Sequence, residues 1–526
     1  MSDVRKKEEK SARFRQTRHG LREYAMPVVC LIFFTGFALI DGPFLESDSA
    51  TYYTFNVFRE PGYPLFLAFC RLLPGASVLT YDGYAGLYHA VFLQSLIWAF
   101  AVWRVGVCTT EIMRAADMCA DGTDQTQGGP SAADADGQMG PALSKPVLAG
   151  WGAVCIHFAT CLMHRFLSQR GALYSNSILT EALAMPLFLV FIVQLFYLLR
   201  DRGAAKRVAA VAALSLLLII LRKHMTVTLL IWGFMALVLH LLMPETRHVR
   251  RFLAQCAVIV CVFAAAQLFT RVYNLAAFGS FSPQAGSHEG MMCMFLYVSD
   301  EADTALFREG EEAQRQWFAE IAAAQTARGA RRADVPAGAS WYERQKHFTD
   351  CYDVIGYEIA HDVLFAGAEN RIGADAPYQD KVRLMYDLEG ELVPVLRRQG
   401  FADYLRVYAD NLLAGLLAST TRIGDMLLPV TLMLFVCYAV LLVRTGGRVP
   451  GQRGRSADAE TLPAPGGITQ GGLFSLLVIA ALFVNAGVVA AVIFSQARYD
   501  SYLTGLFYTA MLLMGLNLRH RQGAGS

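Results

Sequence analysis

Apolar residues fall in long runs along this chain, and charged residues gather between them. Ten runs can be marked, at about Tyr24–Ile40, Tyr84–Val107, Val147–Leu162, Ile178–Leu199, Val208–Leu221, Thr226–Leu242, Phe252–Tyr273, Met426–Leu442, Leu473–Phe494 and Tyr502–Leu516. A helix that crosses hydrocarbon needs about 20 mostly apolar residues. The runs therefore predict an all-α polytopic membrane protein, a bundle of about ten transmembrane helices. Residues 274–425 differ in texture: they are charged, mixed and broken by Gly and Pro. Apolar positions recur there at helical spacing over 305–325, 341–366 and 377–398. With Trp317 and Trp341 as core anchors, they predict an external, mainly helical domain inserted between spans. Residues 108–145, with Asp121-Gly122-Thr123-Asp124 and Gln127-Gly128-Gly129-Pro130, are too polar to bury a core and read as a disordered linker.

Composition narrows the class. The chain has 526 residues, 55% of them hydrophobic, and a mean hydropathy of +0.36, more apolar than an ordinary soluble domain. The net charge of +2 points to no acidic partner; the placement of the basic residues says more. Residues 1–23 hold Arg5, Lys6, Lys7, Lys10, Arg13, Arg15, Arg18 and Arg22 ahead of the first run. A signal peptide looks like this, but no small-residue cleavage site follows. The better expectation is an uncleaved first helix with a basic cytoplasmic N-terminus at 1–23. Juxtamembrane basic residues usually set topology, so nucleic acid is not an expected partner.

Threading the chain from that end gives a membrane module at 24–273, the external domain at 274–425 and C-terminal helices at 426–526. The inward loops are 108–145, 200–207, 244–251, 444–472 and 517–526. All but the first concentrate Lys and Arg beside the membrane, as the positive-inside rule requires. The outward segments are then 42–83, 163–177, 222–225, 274–425 and 496–501. The eleven cysteines contain no Cys-x-x-Cys pair. Most lie in apolar runs and act as small hydrophobes. Cys293 and Cys351 share the external domain, and their pairing depends on the redox compartment.

Every unusual polar group then faces one side. The first outward loop carries Glu46, Asp48, Tyr52 and Tyr53, then Phe58-Arg59-Glu60-Pro61-Gly62-Tyr63-Pro64. The others bring His164 and Arg165, Glu181 at a helix start, Arg222-Lys223-His224, and Arg498-Tyr499. Charges held at the edge of hydrocarbon are costly and point to function. A carboxylate can take a proton from a hydroxyl. Arginines hold phosphate through charge-assisted hydrogen bonds. The set suits a reaction between a lipid-borne phosphate and a hydroxyl acceptor. Glu46-x-Asp48 could hold a divalent cation through oxygens, but two acids make a weak site, and no cofactor is expected.

The order of a first span, an Asp-bearing loop and Arg59-Glu60-Pro61-Gly62-Tyr63-Pro64-Leu65-Phe66-Leu67-Ala68 resembles the C-type (GT-C) integral-membrane glycosyltransferases. The likeness is to the bacterial relatives of protein O-mannosyltransferases and the lipid A aminoarabinose transferase. Ser177-Ile178-Leu179-Thr180-Glu181-Ala182-Leu183 is similar to the Thr/Ser-Glu-Pro-Leu opening of a middle helix there, with Ala182 where proline is common. Ala497-Arg498-Tyr499 is similar to the Arg-Tyr turn before a late helix. The resemblance implies a polyprenyl-phosphate-linked sugar donor, a glycan, lipid or protein acceptor, and transfer on the periplasmic face of a bacterial inner membrane. It implies a first-loop Asp as catalytic carboxylate, which Asp48 matches best, with Glu46 the near alternative. Arg59, Arg222, Lys223, His224, Arg498 and Tyr499 become candidates for the donor phosphate. Tyr52, Tyr53, His164, Arg165 and Glu181 complete the candidate set. The rival readings are a transporter or flippase for an anionic lipid and a non-catalytic scaffold.

Overall fold

The computed structural model describes residues 25–124, 144–167, 171–201, 204–242, 249–283, 285, 289–421, 424–446 and 468–523. The basic segment 1–23 and half of the linker 108–145, residues 125–143, lie outside them. Each of the ten predicted apolar runs is mostly helix among the described residues. The N-terminal module opens with α1 (Ala25–Asp41), the short α2 (Ser49–Tyr53) and α3 (Gly62–Arg71). A two-stranded ribbon, β1 (Thr80–Tyr81) and β2 (Tyr84–Ala85), precedes the long α4 (Leu87–Asp124). Then come α5 (Lys145–Leu167), α6 (Glu181–Arg200), α7 (Ala205–Leu221), α8 (Val227–Leu242) and α9 (Val249–Phe278). The inserted domain comprises α10 (Glu289–Val298), α11 (Glu312–Arg328), α12 (Trp341–Asp353), α13 (His361–Ile372) and α14 (Tyr378–Thr420). The chain closes with α15 (Leu428–Gly446), α16 (Gln470–Val492), the single-turn α17 (Ala497–Asp500) and α18 (Thr504–Gly523).

Eight helices among the described residues are long and apolar enough to cross a membrane. The chain is an all-α polytopic membrane protein. Helix α6 is the hub of the bundle: nearly all of its side chains are buried, between α4 on one side and α7 and α16 on the other. Helices α9 and α15 lie at the periphery and leave most of their apolar surface uncovered, the pattern expected of helices facing acyl chains.

Three sequence expectations need correction. The linker begins later than 108, because α4 continues to Asp124. Cys108, Ile112 and Met113 are buried in the main core, and that packing extends the helix past the predicted end. Trp317 does anchor the second core. Trp341 instead opens α12, half-buried and outside that core, because its place at the helix start faces away from the packed interior. The inserted domain does not end cleanly at 425. Its last helix, α14, has 43 residues, about 65 Å at 1.5 Å per residue. The C-terminal half of α14 packs on α16, where Asn411 Nδ2 donates to the carbonyls of Ala490 and Ile493 and Ser419 Oγ to that of Asp500. Cys293 and Cys351 are separate buried thiols.

Four features fix the first loop. Gly42, at φ +62°, ends α1 in the left-handed region that glycine adopts without strain. Phe44 then pairs with the 174–178 segment: its N–H donates to Asn176 O and its carbonyl accepts from Ile178 N–H, both at 2.9 Å. Ser49 Oγ donates to Ile178 O at 2.9 Å. Finally, Gly62 sits against the end of α7, where a Cβ would lie 2.7 Å from Ile220 O and 2.9 Å from Leu221 Cα. Only a residue without a side chain allows that approach.

Candidate functional site

At the end of the bundle that carries the first loop, Asp48 lies between two arginines from opposite ends of the chain. Its Oδ1 accepts from Arg59 Nη2 at 2.7 Å and its Oδ2 from Arg498 Nη1 at 3.3 Å. Asp48 precedes α2, and α2 sets up the neighbouring contacts. Arg59 Nε donates to Thr51 Oγ1 at 2.7 Å and Nη1 to Tyr52 Oη at 3.2 Å. The guanidinium also lies over the Tyr52 ring, 4.4 Å from its centroid. Burial raises the Tyr52 phenol well above its usual range, so it stays a neutral hydroxyl beside Arg59.

Behind this pair is a second, more buried one. Glu181, the first residue of α6, is 2% exposed, and its Oε1 accepts from Arg222 Nη1 at 2.7 Å. Arg222 Nη1 also reaches Tyr502 Oη at 3.2 Å, and its guanidinium lies 4.5 Å from the centroid of the Tyr499 ring. Arg498 lies 4.9 Å from the centroid of the same ring. Tyr499 thus joins the two arginine pairs. Glu60 Oε1 accepts the backbone N–H of Lys223 at 3.0 Å, tying the Pro-Gly turn to the 222–225 turn. His224 Nε2 lies 3.3 Å from Asn485 Oδ1, and Asn485 Nδ2 donates to Tyr499 O at 3.0 Å.

The structure therefore brings together Asp48, Tyr52, Arg59, Glu181, Arg222, Lys223, His224, Arg498 and Tyr499. It separates others. Glu46 points away from Asp48, toward a cavity of about 100 Å³ lined also by Ser49, Tyr53, Asp82 and Tyr84. Glu46 lies in the coil ahead of α2, where Ser177 Oγ reaches its Oε1 at 3.4 Å, while Asp48 at the head of α2 meets the arginines. Tyr53 faces the same cavity, with its hydroxyl accepting from Ala85 N–H at 3.0 Å and Arg71 stacked 3.4 Å from its ring centroid. Arg165 grips Asp41 through two hydrogen bonds of 3.0 and 2.5 Å, and buried His164 packs on Tyr174. That brace ties α5 to α1 and stands apart from the arginine cluster. Among the described residues, no group of three or more His, Cys, Asp or Glu is placed to hold a metal ion.

Four groups near the site escape sequence reading. Thr51 and Tyr502 hold the arginines. Glu289 and Asp353 come from the inserted domain and lie within electrostatic reach of Asp48. Phe58 meets the ring of Tyr386 on α14 at 6.2 Å, so the domain touches the first loop directly. The sequence signal for Glu289 was an acid heading an apolar run, which reads equally well as a helix-start carboxylate.

The arrangement offers a carboxylate next to a concentrated positive charge, at a bundle end beneath a folded domain. Such a set can bind an anion and receive a proton beside it. The chain matches no protein-family model, no curated protein and no solved structure.

Proposed function

We propose that the protein is a GT-C-like membrane glycosyltransferase that moves a sugar from a polyprenyl-phosphate-linked donor to an acceptor hydroxyl, on the periplasmic face of a bacterial inner membrane. The observation that carries this reading is Asp48 shared between Arg59 and Arg498. In the absence of donor, the carboxylate occupies the arginines. An incoming phosphate competes for both guanidiniums and loosens Asp48 at the same moment. The bond between the anomeric carbon and the phosphate oxygen breaks with its electron pair on the phosphate, where the guanidiniums stabilise the growing charge. The acceptor oxygen forms the new bond to that carbon, and its proton passes to Asp48. Arg222, pinned by Glu181 and Tyr502, holds Tyr499 in place from behind.

The test is Asp48→Asn in purified protein with a synthetic polyprenyl-phosphate sugar. Transfer falls by about 10²–10⁴, the usual worth of a general base, while the variant still binds the donor. Undiminished transfer would overturn the reading. Mass spectrometry of envelope glycans from a deletion strain identifies the acceptor.

A further inference from the structure

The turn that delivers Arg498 is crowded with polar atoms that meet no partner. Among the described residues, six buried side-chain atoms within 496–504 make no hydrogen bond: Gln496 Nε2, Arg498 Nε, both carboxylate oxygens of Asp500, Ser501 Oγ and Thr504 Oγ1. Buried polar groups in folded proteins are almost always bonded, so a cluster of exceptions marks a place for an ion or an ordered molecule. Asp500 is the most telling of them. It is fully buried, and Arg498, two residues away, turns to Asp48 instead. An ionised carboxylate taken out of water is costly unless a positive charge stands beside it.

The neighbouring chain brings another oxygen to that carboxylate. Gly415 of α14 faces the turn: a Cβ on it would lie 3.1 Å from Ser495 Oγ and 3.3 Å from both Asp500 Oδ1 and Ala486 Cβ. The hydroxyl and the carboxylate thus flank one point on α14. Ser495 has already spent its proton, because its Oγ donates to Asn411 O at 2.8 Å. The hydroxyl and the Gln496 N–H lie near the carboxyl but outside hydrogen-bond geometry. Ser495 Oγ is left with lone pairs to offer, and two electron-rich oxygens held side by side call for a positive centre. Thr504 Oγ1, on a residue 1% exposed, follows about one turn on. The frame around them is fixed. Asn411 Oδ1 accepts Ser495 N–H at 2.6 Å, and Ser419 Oγ donates to the Asp500 carbonyl at 3.0 Å.

We propose that Asp500, Ser495 and Thr504 hold one alkali cation between α14 and the turn that precedes α18. The donors choose the class. Oxygen ligands suit hard cations, and the set contains none of the imidazole or thiolate that transition metals favour. One carboxylate balances one positive charge, whereas calcium loops draw on several acids. The ion neutralises Asp500 and clamps to α14 the turn from which Arg498 reaches Asp48. Nothing in the site touches a sugar or a phosphate, so it stands apart from the transferase reading.

Sodium and potassium share this chemistry, and thermal unfolding of the full-length protein in detergent separates them. At constant ionic strength, N-methylglucamine chloride is replaced stepwise by NaCl or by KCl. A cation that binds only the folded state raises the midpoint further with every tenfold in concentration, and the ion with the larger rise is the occupant. Equilibrium binding of radioactive sodium, or of rubidium in place of potassium, gives one ion per chain. Asp500→Asn keeps the shape, removes the charge and abolishes both the rise and the bound ion. Thr504→Val removes one neutral ligand and lowers affinity about tenfold, the worth of one contact to a charged group. Glu46→Gln, in the separate cavity beside α2, changes neither. Should Asp500→Asn fail to fold, the Thr504→Val titration carries the test. Equal midpoints in the three salts would make Asp500 a neutral buried acid and overturn the site. So would ion binding retained in Asp500→Asn, full affinity in Thr504→Val, or binding lost in Glu46→Gln.

Discussion

Glu181 and Arg222 show what a charge pair costs when water is excluded from it. Their side chains are 2% and 12% exposed. Removing one member leaves the other charged and buried, which typically costs about 3–5 kcal/mol. Glu181→Gln should therefore lower stability by that amount in detergent unfolding, and an Arg222→Met, Glu181→Gln double variant should recover much of it. Arg498 differs, being less buried and reaching toward Asp48. Arg498→Met should reduce transfer by about 10²–10³, the usual loss on removing one preorganised donor, with little change in unfolding. Residue identity told this much in advance: Asp48, Arg59, Arg222 and Arg498 stand out because charge is rare beside hydrocarbon. It did not tell that Glu46 faces the other way. The turn that leads into α2 decides that, and irregular backbone leaves no periodic signal. Nor could it show Tyr502, which meets Arg222 across 280 positions of the chain.

At the scale of elements, two glycines hold the parts in register. Gly62 lets the Pro-Gly turn meet the end of α7, and Gly290 lets α10 sit on α16. In each, the atoms a methyl group would strike are backbone atoms, which cannot rotate aside. Gly62→Ala should cost about 1–3 kcal/mol, in line with overpacked cores. It should also push the 222–225 turn from Glu60, so transfer falls more than stability alone explains. Unfolding and transfer measured on the same preparation separate the two effects. The helices were legible from their apolar runs because a bilayer demands length. Their ends were less so. Helix α4 outlasts its apolar run because Cys108, Ile112 and Met113 bury themselves against neighbours, a tertiary effect that composition hides behind the Asp- and Gly-rich residues that follow.

For the molecule as a whole, the side that the arginine cluster faces decides the compartment of the reaction. The basic loops argue for the outer side. Glu320, exposed on α11, offers a marker. Glu320→Cys should react with a membrane-impermeant maleimide in intact spheroplasts, while buried Cys293 and Cys351 stay silent. Labelling only after lysis would turn the cluster toward the cytosol and end the case for periplasmic transfer. The change of texture at residue 274 is accompanied by a second buried cluster, formed mainly by α10–α14, apart from that of the bundle. The way the domain closes over the first loop was not legible in the sequence, because Phe58 and Tyr386 are separated by more than half the chain.

One feature ties these scales together. Helix α14 runs unbroken from the inserted domain to the turn that presents Arg498, about 65 Å of continuous backbone. Pro394 stands inside it, where proline removes one backbone hydrogen bond and favours a kink, and from there the helix continues to Thr420. Near its far end Ser419 holds the Asp500 carbonyl, two residues from the arginine that grips Asp48, so a single helix joins the inserted domain to that turn. Any displacement of the domain would reach the cluster through this one helix.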